Sequence, residues 1–308
     1  MKVKVYTLNA FAEEQNGGNP AGVVLDADEL TEEQMLKIAK EVNFSETAFV
    51  MKSDKADFRV RFFTPTEEVD FCGHATVGTF YLLSHLGLLS DGKYKQETKA
   101  GVLAVEVKDG LVVMEQRAPR FLEKLTTRNP DFESVCQSLG ISASDVGVRP
   151  IIDEQEQGNF INHMEIVTTG LSDLIIPLRS IDILHSLKPN IEMIKEISRK
   201  IGITGYHIFA MGDGDVTVEC RNMAPAVGID EESATGSSGG ALGCFLIKNR
   251  IINIEEKNVA MLFEQGLTMG KPSKLYINII KEAPLGNRVE EVYVGGRANN
   301  VENMEVVL

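Results

Sequence analysis

Glu68-Val-Asp-Phe-Cys-Gly-His-Ala-Thr76 runs directly into Val77-Gly-Thr-Phe-Tyr-Leu-Leu83, and the reading of this stretch decides the fold. Small residues and one histidine stand at the mouth of an apolar helix. The first amides of a helix have no partner inside it and point outward. Together with the helix dipole they form a seat for an anion such as a carboxylate. One Gly-His at a helix start is equally well a tight turn with a polar cap. A second copy gives the reading its weight. Thr235-Gly-Ser-Ser-Gly-Gly-Ala-Leu-Gly-Cys-Phe-Leu246 has the same form, a small polar turn followed by an apolar helix. Setting Gly73 on Gly236 places His74 on Ser237, Leu82 on Phe245 and Leu83 on Leu246.

The repetition extends beyond the two turns. Ile38-Ala-Lys-Glu-Val-Asn-Phe-Ser45 matches Ile197-Ser-Arg-Lys-Ile-Gly-Ile-Thr204, Phe49 then falls on Ile208, and Pro65 falls near Pro225. Each half reads strand, helix, strand, strand, turn, helix. A repeat of this size predicts two like α/β domains, 1–118 and 119–308, joined near Arg117-Ala-Pro-Arg120. The last segment, Asn303 to Leu308, reads as a strand that can return to the first domain. The two turns are expected to face each other across an interdomain cleft, a usual place for a small-molecule site.

Local signals fill in the elements. Lys2 to Phe11 and Ala21 to Leu25 read as strands around a Gly18-Asn-Pro20 turn. Thr31-Glu-Glu-Gln34 is a capping box opening a helix with Met35, Ile38, Ala39 and Val42 on one face, ending near Asn43. Ser45 to Met51 and Phe58 to Phe63 are strands. Val102 to Val107 and Leu111 to Gln116 form a hairpin about Asp109-Gly110. In the second half, Asp131 to Leu139 and Asn190 to Ile201 are helices. Gly147 to Ile152, Asn162 to Thr169, Leu174 to Leu178, Tyr206 to Met211 and Val216 to Arg221 are strands, as are Leu275 to Ile280 and Val289 to Val294.

Composition narrows the function. The chain has 308 residues and a formal net charge of −14. An acidic surface repels nucleic acid and anionic membrane, so neither is an expected partner. No apolar run approaches the ~20 residues of a spanning helix. The N-terminus reads as a strand without a signal-peptide core, so a cytoplasmic protein is expected. The four cysteines, Cys72, Cys136, Cys220 and Cys244, and the five histidines show no metal-ligand spacing, and no metal site is expected.

The repeat breaks at two informative places. In the shared register Glu46 falls on Gly205, and His74 falls on Ser237. One half carries a carboxylate where the other has nothing to titrate. A single acid/base that moves a proton between two positions of one substrate fits this asymmetry. A two-base epimerase would need a base from each side. A lone glutamate at a strand end is otherwise an exposed charge.

Asn19-Pro-Ala, Asn43-Phe-Ser-Glu-Thr-Ala-Phe49, Phe63-Thr-Pro65, Cys72-Gly-His-Ala-Thr76, Ala234-Thr-Gly-Ser237 and Gln265-Gly with Met269-Gly-Lys-Pro-Ser273 together resemble the PhzF-like family of phenazine biosynthesis. They run in order over nearly the whole chain. The resemblance implies a diaminopimelate epimerase-like fold, two pseudo-symmetric domains, each a mixed sheet curled around a central helix, and commonly a homodimer. It implies isomerisation without a cofactor on a small cyclic or amino-carboxylate substrate. The family's proton-shuttling glutamate corresponds to Glu46 and its cleft histidine to His74. Glu232 would bind or polarise the substrate, and Ser237 with the amides near Gly73 and Gly236 would hold its carboxylate. Where the family reads E-D-P-A-T-G-S, this chain reads Glu231-Glu-Ser-Ala-Thr-Gly-Ser237, so Asp is replaced by Glu232 and Pro by Ser233. A carboxylate one methylene longer puts the founding substrate, a dihydro-hydroxyanthranilate, in question. Two other readings stay open: an amino-acid epimerase or racemase working through Cys72, and a protein that binds a small carboxylate without turnover. Gly236-Ser-Ser-Gly-Gly240 lacks the lysine of a phosphate-binding loop.

Overall fold

The computed structural model describes residues 1–150, 160–252 and 255–308. The chain divides into two units. Unit 1 is Met1–Glu115 with Gly270–Lys274 and Gly295–Leu308, and unit 2 is Gln116–Met269 with Leu275–Val294.

Unit 1 begins with β1 (Lys2–Ala10), β2 (Asn19–Val24), α1 (Glu32–Val42), β3 (Glu46–Met51), β4 (Phe58–Phe63) and β5 (Glu68–Val69). Then come α2 (Gly73–His85), β6 (Gly92–Thr98), β7 (Gly101–Lys108) and β8 (Leu111–Gln116). The sheet is mixed: β1 and β2 are antiparallel, β2 and β3 parallel, β3 and β4 antiparallel, β4 and β6 parallel. The last strand of the chain, Ala298–Val307, lies antiparallel on β1, with Lys2 opposite Val307. Successive strand residues point to opposite faces, and both faces here are covered. Ala21, Val23, Ala48, Val60 and Phe62 pack with Ala75 and Leu82 of α2. Val24, Phe49 and Phe63 pack with Met35, Ile38 and Ala39 of α1. This explains why β3 and β4 read as near-continuous apolar runs. Helix α2 is buried along most of its length.

Unit 2 holds β9 (Arg120–Leu125), α3 (Pro130–Leu139), β10 (Met164–Thr168), β11 (Ser172–Pro177), α4 (Ile181–Ser186) and α5 (Ile191–Ile201). It continues with β12 (Gly205–Met211), β13 (Val218–Ala224), β14 (Ile229–Glu232), α6 (Gly236–Lys248), β15 (Asn258–Gln265), β16 (Ser273–Lys281) and β17 (Val289–Gly296). The closing strand Ala298–Val307 is β18. The pairing pattern of unit 1 recurs: β10 and β11 antiparallel, β11 and β12 parallel, β12 and β13 antiparallel, β13 and β15 parallel. Phe132, Val135, Ile194 and Ile197 from α3 and α5 cover Leu174, Ile176, Tyr206 and Ile208. Helix α6 is buried among its own strands. A Cβ on Gly243 would lie 2.9 Å from Ile277 and 3.0 Å from Ile279 of β16.

The two units share their framework residue by residue. Helices α1 and α5 are each 11 residues long, capped by Thr31 and Asn190 and closed by a left-handed residue, Asn43 or Gly202. Helices α2 and α6 are each 13 residues long. Arg61 of β4 grips Glu68 of β5 with Nε and Nη2 at 2.7 and 2.8 Å. Arg221 of β13 grips Glu231 of β14 the same way at 2.8 and 2.9 Å. The Arg61 guanidinium holds the Glu68 carboxyl down to about 2. Such two-pronged pairs fix the short strands β5 and β14, and with them the chain entering α2 and α6.

Several boundaries differ from the sequence reading. Asn19 and Pro20 open β2 instead of forming a turn, and Pro20 pairs with Asn9. The turn lies just before, where Gly18 takes a positive φ of 88° against the Ala10 carbonyl, a conformation open to glycine. The second-half strand expected from Val216 starts at Val218, and Arg120 opens β9. Of the strand expected at 147–152, residues 151 and 152 lie outside the described residues, and Val148 bridges Ile161. Strands β6, β9 and β15 were not expected.

Candidate active site

Unit 1 gathers three of the singled-out residues. Glu46 is the first residue of β3, paired with Ala21 on the parallel β2. Cys72 is the N-cap of α2, Gly73 its first residue and His74 its second. His74 is 5% exposed and touches three partners through its two ring nitrogens. Nε2 lies 3.4 Å from Glu46 Oε2 and 3.4 Å from Ser45 Oγ. Nδ1 lies 3.4 Å from Cys72 Sγ. Glu46 Oε2 is itself fully buried. An imidazole between a carboxylate and a thiol can hold its proton toward either, so the cluster suits proton movement.

The counterpart position in unit 2 has no side chain and no room for one. Gly205 opens β12 as Glu46 opens β3. A Cβ there would sit 2.2 Å from the Met223 carbonyl oxygen and 2.7 Å from Ala224 Cα.

Unit 2 assembles a different mouth. Glu232 ends β14, and its Oε2 accepts a hydrogen bond from Thr235 Oγ1 at 2.8 Å. Gln265 ties the turn together. Its amide donates to the Glu232 carbonyl at 2.7 Å, and its oxygen accepts from the Thr235 N–H at 3.2 Å. Gly236 is the first residue of α6, and its carbonyl accepts from Gln116 at 3.0 Å. Ser237 follows, half-buried, with its carbonyl 3.1 Å from Thr169 Oγ1. In the sequence Gln265 stands within the Gln265-Gly motif with no sign of a role. The structure gives it the task of setting the turn.

Side-chain caps separate these two helices from the others. Thr31, Asn129, Ser180 and Asn190 each cap their helix with a side-chain oxygen. Neither Cys72 nor Thr235 does so. The central helices thus present their first turns in a form suited to an external acceptor.

A group the sequence reading passed over lies under the α6 mouth. Asp173 of β11 is 2% exposed and accepts from Ser238 Oγ at 2.6 Å. Asn222 of β13 donates to Ser238 Oγ at 3.1 Å and reaches His207 Nδ1 at 3.2 Å. Burial pushes the Asp173 carboxyl up to about 6 and the His207 imidazole down to about 3. Glu165, Lys248 and His163 form a separate ion cluster at the far end of α6. Cys136, Cys220 and Cys244 are buried, and burial raises each thiol well above its ordinary value. No helix among the described residues is long and apolar enough to cross a membrane.

Comparison with known proteins follows the same lines. The family described as "Phenazine biosynthesis-like protein" (PhzC-PhzF) matches residues 8–304. An uncharacterised isomerase of Clostridium acetobutylicum is 33% identical, with the match covering 100% of this chain and 99% of that protein. The trans-2,3-dihydro-3-hydroxyanthranilate isomerase of Pseudomonas aeruginosa is 29% identical, covering 94% of each. The crystal structure of a PhzF-family phenazine biosynthesis protein from Bacillus anthracis matches with a TM-score of 0.85 and 30% identity over 100% of both chains.

Proposed function

The chain belongs to the phenazine biosynthesis-like (PhzC-PhzF) family of isomerases, and on that premise we propose that it moves a proton within a small cyclic or amino-carboxylate substrate, without a cofactor, through Glu46 alone. The observation that carries this reading is the buried Glu46–His74 contact at 3.4 Å in unit 1, set against Gly205 at the same place in unit 2.

The Glu46 carboxylate takes a proton from one substrate carbon and becomes the acid. After its carboxyl proton has exchanged with solvent, Glu46 delivers a proton to another carbon of that substrate as the double bond shifts, so no net charge or atom is gained. His74 orients the carboxylate from Nε2 while Nδ1 accepts from the Cys72 thiol. One positioned carboxylate of this kind contributes about 10²–10⁴-fold, and orientation within a closed site supplies the remainder. Family resemblance extends the reading to Glu232 and Ser237 as groups that hold polar atoms of the substrate.

Proton NMR in D₂O tests it, with trans-2,3-dihydro-3-hydroxyanthranilate and amino acids of both hands as candidate substrates. The expected result is deuterium entering a substrate carbon with the wild type and not with Glu46→Gln. A second reading draws on the 3.4 Å approach of Cys72 Sγ to His74 Nδ1, a thiol and imidazole pair. In an epimerase built on it, exchange survives in Glu46→Gln and disappears in Cys72→Ala. That outcome would replace the first reading.

A further inference from the structure

The two units provide an internal control for the buried polar chain under α6. The shared register sets Asp173 on Ala21, because each pairs with the first residue of the next parallel strand, Gly205 or Glu46. His207 then falls on Ala48, and Asn222, its cross-strand partner, falls on Phe62, the partner of Ala48. Ser238, third residue of α6, falls on Ala75, third residue of α2. Ala21, Ala48, Phe62 and Ala75 are all members of one apolar cluster in unit 1. The same backbone therefore closes over an entirely apolar core at these four places. The shared framework is thus compatible with apolar residues at these places, and burying a carboxylate and an imidazole costs stability.

What the polar chain touches suggests why it is there. Ser238 follows Ser237 directly in the first turn of α6. Asn222 lies opposite Glu232 in the β13–β14 ladder. Asp173 accepts the Ser238 hydroxyl and the Gly205 N–H, and it feels the charge of Glu232. The titratable groups that bear on it are thus Glu232 from β14 and, through Asn222, His207 from β12. Its other strand neighbour, Val167 of β10, carries no charge.

We propose that Asp173 is a positioning residue for the reaction, holding the first turn of α6 and its Ser237 in place through Ser238, while Asn222, opposite Glu232 in the β13–β14 ladder, bonds the same Ser238 hydroxyl. The proposal rests on the reading of Glu232 and Ser237 as substrate-holding groups. A hydroxyl that donates to a carboxylate at 2.6 Å is a short charge-assisted bond, and it fixes the rotation of the turn as a methyl group cannot.

The test installs the unit 1 residues in unit 2. The paired variant Asp173→Ala with Ser238→Ala carries the alanines that Ala21 and Ala75 already supply. Three measurements are made on the full chain: the thermal midpoint at pH 7.5, amide hydrogen exchange across residues 236–239, and turnover of trans-2,3-dihydro-3-hydroxyanthranilate. The expected result is a midpoint at or above that of the wild type, exchange at 236–239 at least about tenfold faster, and a KM raised at least tenfold with kcat changed less. Asp173→Asn, which keeps an acceptor for Ser238, restores most of the protection. A lower midpoint with unaltered exchange at 236–239 and unaltered KM overturns the proposal, because it makes the chain structural only. If the wild type does not turn over this probe, the probe is not its substrate, and the midpoint and exchange data still decide the role of Asp173.

Discussion

Glu46 and Gly205 occupy one position of a repeated framework, and they differ in what their surroundings permit. Glu46 stands beside an imidazole, in surroundings that accept its full side chain. Gly205 is pressed so close to the Met223 carbonyl that one carbon is too many. The acid of unit 2 sits one strand away, on Asp173, where it is buried against Ser238. The helices, caps and paired Arg–Glu grips match between the units, so the framework is shared. Chemical identity comes from a handful of side chains placed on it.

The largest expected effect lies at that first pair of positions. Glu46→Gln lowers turnover by at least 100-fold while leaving the thermal midpoint close to wild type. Gly205→Ala does the opposite, costing about 1–3 kcal/mol of stability through overpacking. Similar losses of activity and similar losses of stability for both variants would erase the contrast drawn here.

Next come the paired grips. Removing one partner of a buried ion pair costs about 3–5 kcal/mol, because the other charge is stranded. Arg221→Leu should approach that figure in chemical denaturation. Arg61→Leu should cost less, because Glu68 keeps Lys99 at 2.9 Å. Equal costs would mean that Lys99 contributes nothing.

The buried chain in unit 2 gives a smaller effect with a defined sign. Asp173 has its folded pKa raised from 3.8 to about 6. Its burial therefore costs stability at neutral pH, and the cost disappears as pH falls from 6 toward 4. His207 has its folded pKa lowered from 6.5 to about 3. It costs nothing at pH 7, and a penalty grows as pH falls below 6.5. The two slopes oppose each other in one window. Relative to wild type, Asp173→Asn should lose stability between pH 7 and 4, and His207→Asn should gain it, each on the order of 2 kcal/mol. Urea midpoints across that range read the signs directly, and parallel slopes for the two variants would refute the assignment.

The smallest effect concerns the matched caps. Thr31→Ala and Asn190→Ala should each cost about 1 kcal/mol. Thr31 is also held by Gln34 in a reciprocal box, so its loss should be the greater.

Features with local causes were legible in the sequence. The Thr31 box, the Asp109-Gly110 turn and the two helix mouths each depend on residues a few positions apart, and the structure places them as read. The repeat was legible too, because its offset is nearly constant. Strands β6 and β9, Gly-Lys-Tyr-Lys-Gln-Glu-Thr and Arg-Phe-Leu-Glu-Lys-Leu, were hidden by their charged faces. Family resemblance named Glu46 and His74 separately as site residues, and spacing gave no sign of their 3.4 Å approach. The chain of Asp173, His207, Asn222 and Ser238 escaped because its members come from four elements. The offset that sets Glu46 on Gly205 sets only His207 on Ala48; the other three correspondences appear once the strand ladders and helix starts are aligned.

The pairing of β18 with β1 carries a consequence for synthesis. Strand β1 emerges from the ribosome ahead of unit 2, and its partner, Ala298–Val307, emerges only after unit 2. At about 5–20 residues per second that interval lasts tens of seconds. Throughout it one edge of β1 lacks its partner, while nearly all of unit 2 is already translated. A nascent chain in this condition offers an open strand edge to its neighbours on a polysome, so slower elongation late in the message should increase aggregation during expression more than slowing within unit 2.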